Sequence, residues 1–284
     1  MSDSNILKED FVIQRQDDLP IIGDATYIER ESPMPVVVFC HGYKGFKDWG
    51  AWNLVAEEFA KAGFFFLKFN FSHNGGTVDN PIDFPDLEAF SKDNFSQQLK
   101  DLTQFLDFTL VNPSWKDAID SQNIFLIGHS RGGGVAVLQA FEDKRVKKLI
   151  TWAGISDIGS RFPRGKKLEE WKQNGVYYVE NGRTKQQMPH LYQFYEDFLA
   201  NQERFHIKTA VSQLSIPYLV IHGTSDETVG NHEAELLFDA AKQAKIKWIA
   251  NANHVFGMSQ PWSSEQLPAE MTTVVDKSIS FLLG

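Results

Sequence analysis

Short, largely apolar segments recur along this chain and alternate with segments of helical periodicity, and this alternation limits the possible folds most strongly. The apolar segments span residues 36–40, 64–70, 124–127, 148–152, 218–221 and 246–250. Runs of this kind are typical of strands that are buried on both faces of a sheet. The helical patterns lie at residues 52–61, 88–110, 134–142, 233–244 and 269–283. Because strands and helices alternate, we predict right-handed crossovers and a mostly parallel, twisted sheet with helices on both faces.

Two further segments, residues 11–16 and 25–31, alternate apolar and polar side chains. A period of two indicates strands with one solvated face, so we expect an antiparallel pair at an edge of the sheet. The predicted fold class is therefore α/β, with about eight strands in the sheet. The 284-residue chain has no internal repeat and no linker-like composition, and we expect it to fold around this one sheet.

Residues 157–214 interrupt the alternation, because they contain no buried-strand pattern. An Asn181-Gly182 pair between β-forming residues predicts a hairpin, since this pair favours a tight turn between antiparallel strands. Residues 190–200 and 205–213 have amphipathic helical patterns. We therefore predict that residues 157–214, called the insertion below, form a cap over one end of the sheet.

The predicted core comprises residues 1–156 and 215–284, and its charge differs from that of the insertion. Between residues 157 and 208, nine Lys and Arg side chains stand against seven acidic ones, whereas the whole chain has a formal net charge of -9. We expect most of these charges to be solvated. The alternative is that some cations bind an acidic substrate, so that replacing Arg161 and Arg164 by Ala would lower activity on anionic substrates more than on neutral ones.

Charge, cysteine content and hydropathy exclude several classes of protein. An acidic chain lacks the basic face that nucleic-acid binding needs, and the single cysteine, Cys40, cannot form an internal disulfide. The first ten residues lack the pattern of a signal peptide, and no segment approaches the roughly 18 apolar residues of a membrane span. We expect a cytoplasmic protein that binds no membrane, metal or cofactor, and we assign it no oligomeric state.

A serine between glycines stands where one predicted strand meets the next helix, in Gly128-His-Ser-Arg-Gly132. A sharp strand-to-helix turn strains its central residue and brings neighbouring segments close, so that only glycine fits on either side. Such a turn exposes the Ser130 hydroxyl at the carboxyl end of the sheet. The alternative is that Ser130 only caps the helix. In this strand–turn–helix context we predict that Ser130 is a nucleophile.

A serine nucleophile needs a histidine to accept its proton and a carboxylate to orient that histidine. Asp226 follows the predicted strand 218–221 in a glycine-containing turn, and His254 follows the last strand on a loop. The chain order Ser130, Asp226, His254 is the order expected for such a strand–turn–helix nucleophile.

Two other carboxylates and several histidines are alternatives for these roles. Glu227 lies in the same turn as the predicted acid, where adjacent side chains point apart, and Asp157 follows the preceding strand. His129 adjoins the nucleophile and is expected to pack within the turn. His41 and His222 end strands in His-Gly pairs, and we expect structural roles for both.

Together these features resemble the α/β-hydrolase family over nearly the whole chain. His41-Gly-Tyr-Lys-Gly45, the serine motif and the insertion are most similar to small esterases of the cinnamoyl/feruloyl esterase and dienelactone-hydrolase-like type. The resemblance implies an α/β-hydrolase fold with an inserted cap. It also implies an oxyanion hole formed by the backbone N–H groups of Tyr43 and Arg131.

The predicted activity is hydrolysis of a carboxylic ester with a small or aromatic acyl group, through an acyl-enzyme formed on Ser130. The same residues would serve a serine peptidase, an amidase or a thioesterase, and fold does not choose among them. A peptidase would need an acidic pair that recognises an amine. A non-catalytic binding module of the same fold is the remaining alternative, and the complete set of catalytic residue types speaks against it.

Overall fold

The computed structural model describes residues 5–16 and 18–284. The first four residues and Asp17 lie outside the described part. The prediction that the N-terminal segment is not a signal peptide falls partly on those four residues. The central sheet has eight strands: β1 (Leu7–Ile13), β2 (Ile21–Tyr27), β3 (Met34–Cys40), β4 (Phe65–Asn70), β5 (Ile119–His129), β6 (Val146–Trp152), β9 (Tyr218–Gly223) and β10 (Ala244–Ile249).

The strands follow the order β1-β2-β4-β3-β5-β6-β9-β10 across the sheet. β2 pairs antiparallel with both β1 and β4, and every other neighbouring pair is parallel. The predicted α/β class and the mostly parallel sheet are therefore confirmed.

Helices cover both faces of this sheet. They are α1 (Trp52–Lys61), α2 (Leu87–Ser91), α3 (Phe95–Val111), α4 (Arg131–Glu142), α8 (Asn231–Ala240) and α9 (Ala269–Leu283). Successive side chains of β3 enter opposite layers: Val36 and Val38 pack with α3 and α4, whereas Val37 and Phe39 pack with α1 and α9. This two-sided burial explains why the central strands are continuously apolar in sequence.

Two predicted boundaries differ from the structure for identifiable reasons. The edge strands begin four residues before residues 11 and 25, and β1 ends at Ile13 instead of residue 16. Arg15 lies in the connection after β1, where it donates to the Leu19 carbonyl and pairs with Asp101. The helix predicted at residues 88–110 is two helices, because the Asn94 side chain accepts a hydrogen bond from the Gln97 N–H at 2.8 Å and starts α3 anew. A capping asparagine of this kind favours a helix start over helix continuation.

The insertion contains a hairpin and three helices. Its strands are β7 (Val176–Glu180) and β8 (Gln187–Leu191), and its helices are α5 (Lys166–Asn174), α6 (Gln193–Ala200) and α7 (Ile207–Gln213). The predicted hairpin is present, but residues 181–186 form a loop in which the Lys185 N–H donates to the Asn181 carbonyl, instead of a two-residue turn at Asn181-Gly182. No helix is predicted at α5, because Trp171 is its one buried residue and two apolar side chains, Leu168 and Trp171, are too few to show a helical period.

No helix in the described part of the chain is long and apolar enough to span a membrane.

Candidate active site

The Ser130 turn joins β5 directly to α4. Ser130 has φ 56° and ψ -121°, a conformation that costs energy for a residue with a side chain. A Cβ atom on Gly132 would lie 2.4 Å from the carbonyl oxygens of Cys40 and His41, and one on Gly128 would lie 2.3 Å from the Gly132 oxygen. The close approach of β3, β5 and α4 therefore requires glycine at both positions and holds the serine at the carboxyl end of the sheet.

The structure brings Ser130, His254 and Asp226 into one hydrogen-bonded series. His254 Nε2 lies 3.0 Å from Ser130 Oγ, and His254 Nδ1 lies 2.8 Å from Asp226 Oδ2. With a proton on Nδ1, the imidazole donates to the carboxylate and its Nε2 accepts from the serine hydroxyl. This arrangement can remove the hydroxyl proton as the oxygen attacks a carbonyl carbon.

Asp226 is held as a carboxylate by several donors. Its Oδ1 accepts from the N–H groups of Thr228 and Val229, both at 2.9 Å, and His222 Nε2 lies 3.3 Å from Oδ2. Burial alone would raise the pKa of Asp226, but hydrogen bonds from His222 and His254 lower it well below its usual range. The carboxylate is therefore charged at neutral pH and can orient the His254 ring.

The alternative acids lie elsewhere in the described structure. Glu227 and Asp157 are both exposed, and neither makes a hydrogen bond with His254; Asp157 instead accepts from the Gly159 N–H.

Two neutral histidines fix the backbone around the serine. His129 Nε2 donates to the His254 carbonyl at 2.9 Å, and burial together with the neighbouring His254 lowers the pKa of His129 to about 3. His41 Nδ1 donates to the Gly42 carbonyl while its Nε2 accepts from the Phe71 N–H. Burial lowers the pKa of His41 to about 4. Sequence reasoning assigned both residues a structural role but gave no signal for these particular partners.

The loop between β3 and α1, residues 41–51, passes against the nucleophile. A Cβ atom on Gly42 would lie 2.9 Å from the Cβ atom of Ser130, so the loop approaches as closely as glycine permits. Within the described residues, the backbone N–H groups of Tyr43 and Arg131 donate to no side chain. They also donate to no backbone carbonyl of a described loop or turn. Both N–H groups therefore remain available to a ligand oxygen.

Four buried or half-buried charges anchor this loop to the sheet, and we call Asp24, Lys47, Asp48 and Lys68 the charge quartet. Lys47 Nζ lies 2.6 Å from Asp24 Oδ2 and 2.6 Å from Asp48 Oδ2. Lys68 Nζ lies 2.6 Å from Asp24 Oδ2 and 2.5 Å from Asp48 Oδ1. The formal charges cancel, and the quartet joins β2 and β4 to the loop that carries Tyr43.

The side chains of Tyr43 and Arg131 stack on one another beside the nucleophile. The Arg131 guanidinium carbon lies 4.1 Å from the Tyr43 ring centroid and 5.2 Å from that of Phe194, and one guanidinium nitrogen lies 3.5 Å from Asp93 Oδ2. The Tyr43 hydroxyl lies 2.7 Å from His190 Nε2. Because His190 and Phe194 belong to the insertion, this cluster connects the insertion with the loop and the serine turn.

Tyr43 lines both of the larger cavities beside Ser130 and the insertion. The first, about 250 Å³, is lined by Ser130 and His254 together with Trp49, Trp52 and Tyr43. The second, about 360 Å³, lies under the insertion and is lined by basic and aromatic side chains. Within the described residues, no group of three or more His, Cys, Asp or Glu side chains is arranged to hold a metal ion.

Comparisons with known proteins agree with this architecture. Residues 37–263 match the alpha/beta hydrolase family. The chain resembles Est1E of Butyrivibrio proteoclasticus, solved with ferulic acid bound, with a TM-score of 0.72 and 17% identity over 96% of this chain and 98% of that one. It also resembles a dienelactone hydrolase of Anabaena variabilis, with a TM-score of 0.63 and 16% identity over 98% and 97% of the two chains. The resemblance seen in the sequence is confirmed at the level of fold.

A relative in sequence is an uncharacterized peptidase, YtmA, of Bacillus subtilis strain 168. It is 26% identical over 126 residues, which are 44% of this chain and 43% of the relative. The match thus spans less than half the length of either protein.

Proposed function

This chain belongs to the alpha/beta hydrolase family, and from that membership we propose that it is a serine hydrolase that cleaves a carboxylic ester with a small or aromatic acyl group. The observation that carries the proposal is the hydrogen-bonded series from Ser130 through His254 to Asp226, at a strained turn beside a cavity of about 250 Å³.

In the first step of the proposed reaction, Ser130 Oγ attacks the ester carbonyl carbon and His254 Nε2 takes the hydroxyl proton. Asp226 orients the imidazole and stabilises its cationic form. The carbonyl oxygen becomes an oxyanion, which accepts hydrogen bonds from the N–H groups of Tyr43 and Arg131. Each preorganised donor of this kind contributes about 3 kcal/mol to stabilising the transition state.

The tetrahedral intermediate collapses when His254 gives its proton to the leaving alcohol oxygen, and the acyl group remains on Ser130. Water then attacks the acyl carbon while His254 takes a proton from it. His254 returns this proton to Ser130 Oγ as the bond between that oxygen and the acyl carbon breaks, and the carboxylic acid is released. The aromatic rings of Trp49 and Trp52, which line the same cavity, offer an apolar surface to the substrate.

The decisive experiment compares Ser130→Ala with Ser225→Ala on p-nitrophenyl acetate. We expect Ser130→Ala to lower kcat by about 10⁴-fold or more. Ser225 is an exposed serine in the turn before Asp226, and its variant should keep wild-type kcat. A fluorophosphonate probe should label the wild type and Ser225→Ala but not Ser130→Ala. Full activity in Ser130→Ala would refute the proposed nucleophile.

Peptide hydrolysis is the second candidate, because one relative is named a peptidase. The described lining of the Ser130 cavity contains no Asp or Glu, so nothing there matches the acidic pair that would bind a peptide amino terminus. We therefore favour esters over peptides. A panel of p-nitrophenyl esters, thioesters and aminoacyl p-nitroanilides distinguishes these activities, and a kcat/KM for an anilide above that for every ester would reverse the choice.

A further inference from the structure

Among the described residues, three cations line the cavity under the insertion, and two, Lys44 and Arg183, line the serine cavity. The cavity under the insertion has a volume of about 360 Å³, and Arg131, Arg161 and Lys167 line it together with aromatic rings. Within the described residues, no carboxylate lines this cavity. A positively charged, partly apolar cavity in a chain of net charge -9 is a local feature, which the overall composition does not explain.

Arg131 has unused hydrogen-bonding capacity in this cavity. Its side chain is 15% exposed, and the nearest carboxylate oxygen, on Asp93, lies 3.5 Å from one nitrogen. Nothing in the described part of the chain accepts a hydrogen bond from the guanidinium; its other neighbours are the rings of Tyr43, Phe95 and Phe194. A guanidinium has five N–H donors in a planar fork, so most of them have no protein acceptor.

The other cations of the insertion differ in their availability. Arg161 pairs with Glu233 of α8, so the positive charge of Arg161 is already balanced. The second carboxylate oxygen of Glu233 accepts from the Ser156 N–H at 2.7 Å. Arg164 does not line the cavity. Lys167 lines it and makes no ion pair with the described residues. The cations available to a ligand are therefore Arg131 and Lys167, which are not the pair that the sequence suggested.

A buried histidine adds a further polar group to the same cavity. His190 is 4% exposed and its Nε2 meets the Tyr43 hydroxyl, but its buried Nδ1 has no hydrogen-bond partner. The rings of Phe162, Trp171 and Tyr177 form apolar walls around these polar groups. Such a combination suits a planar anion attached to an apolar or aromatic spacer.

We infer that the cavity under the insertion is a subsite for a substrate carboxylate. Arg131 is the principal side chain that binds this carboxylate, and Lys167 is a second cation beside it. The inference rests on the proposed ester hydrolysis and narrows its substrates to esters that carry a carboxylate at one end. The carboxylate fits this role because a guanidinium binds it through two parallel N–H···O bonds.

The position of the subsite restricts how such a substrate lies. Arg131 follows Ser130 directly in the chain, and Tyr43 contributes a wall to both cavities. A substrate whose ester carbonyl is at Ser130 therefore extends past Tyr43 to place its carboxylate near Arg131. The carboxylate can belong to the acyl group or to the alcohol, and matched substrates separate the two.

The test uses pairs of esters that differ only in a terminal carboxylate or carboxamide. For the acyl side, the p-nitrophenyl monoesters of terephthalic and suberic acid are compared with the esters of their monoamides. For the alcohol side, 4-acetoxybenzoate is compared with 4-acetoxybenzamide. We expect the wild type to show a kcat/KM at least ten-fold higher for the carboxylate on one side, and 0.5 M NaCl should reduce this ratio because it screens the charges.

Variants identify the residues responsible. Arg131→Gln should bring the ratio within two-fold of one, and Lys167→Gln should lower it several-fold. Arg164→Gln, an equivalent change at an exposed arginine outside the cavity, should keep the wild-type ratio. Because the ratio is taken within each variant, a general loss of activity cancels. Equal kcat/KM values for every pair in the wild type, or an unchanged ratio in Arg131→Gln, would overturn the inference.

A binding measurement separates this inference from the proposed reaction. Calorimetry should show that 4-methylbenzoate binds at least ten-fold more tightly than 4-methylbenzamide to the wild type and to Ser130→Ala, and that Arg131→Gln loses the difference. If esters are not hydrolysed but this difference is found, the proposed reaction is wrong and the subsite stands. Equal binding of the two probes would refute the subsite.

Discussion

Lys68→Met is the most informative perturbation of the charge quartet. Lys68 and Asp24 are both fully buried, and the ammonium bridges Asp24 and Asp48 at 2.6 Å and 2.5 Å. Methionine has a similar length and no charge, so it removes the charge without opening a large cavity. Within the described residues, it leaves buried Asp24 with Lys47 as its one cation, whereas Asp48 also keeps Lys8 at 3.9 Å. One oxygen of Asp24, Oδ1, already has no hydrogen-bond partner.

The expected loss of stability follows from this imbalance. Removing one partner of a buried ion pair costs about 3–5 kcal/mol, because the remaining charge stays buried without compensation. Asp24 keeps Lys47 at 2.6 Å, so we expect a loss near the lower value, about 3 kcal/mol. Adding Asp24→Asn restores equal numbers of positive and negative charges in the quartet. The loss of unfolding free energy in the double variant should therefore be about 2 kcal/mol smaller than the sum of the losses in the two single variants.

The assay is urea unfolding at pH 7, followed by tryptophan fluorescence. Lys61→Met is the matched control, because Lys61 pairs with Glu58 at a similar distance, 2.7 Å, but both side chains are about half exposed. An exposed pair of this kind contributes about 0–1 kcal/mol. If Lys68→Met cost no more than Lys61→Met, or if the two quartet substitutions were additive, the reasoning about uncompensated burial would be refuted.

Three further predictions concern single residues. Asp226→Asn should lower kcat for p-nitrophenyl acetate by about 10⁴-fold, because it removes the charge that orients His254; a loss below ten-fold in steady-state kinetics would contradict the assignment. Burial raises the pKa of Asp93 from 3.8 to about 7, although Arg131 acts in the opposite direction. Between these two pH values the Asp93 carboxyl is therefore protonated in the folded chain and ionised in the unfolded chain. The wild type should therefore lose about 3 kcal/mol relative to Asp93→Asn in urea unfolding between pH 5 and pH 8, with no further change above pH 8; a parallel pH dependence of the two proteins would exclude this. Burial raises the pKa of the Cys40 thiol, so a thiol reagent should label it only in urea; rapid labelling of the folded protein would show that it is accessible.

The sheet was predictable because its central strands carry their own signal. Strand β3 is apolar throughout because both of its faces are buried. Strands β4 and β9 are also buried on both faces, and they are apolar apart from Lys68 and Asn70 in β4 and His222 in β9. Boundaries that depend on one distant side chain were not predictable. The end of β1 follows from Arg15 meeting Asp101, which is 86 residues away, and no local pattern contains that contact.

The candidate site divides in the same way. The residue types and chain order of Ser130, Asp226 and His254 were visible in sequence because each follows a strand, and parallel strands bring their carboxyl ends together. The hydrogen bond from His129 Nε2 to the His254 carbonyl joins residues 125 positions apart, and it depends on the three-dimensional path of the last loop. The availability of Arg131 was equally hidden, since only the packed structure shows how far Asp93 lies from its guanidinium.

The insertion leaves and re-enters the sheet between neighbouring strands. β6 and β9 are paired in parallel from Leu149 with Tyr218 to Trp152 with Ile221, so the sheet fixes the distance between the two ends of the intervening chain. Doubling the length of such a connection costs only about 0.6 kcal/mol of closure entropy. We therefore expect that a longer or shorter insertion would reshape the cavity beneath it and would leave Arg131, which lies in α4, in place.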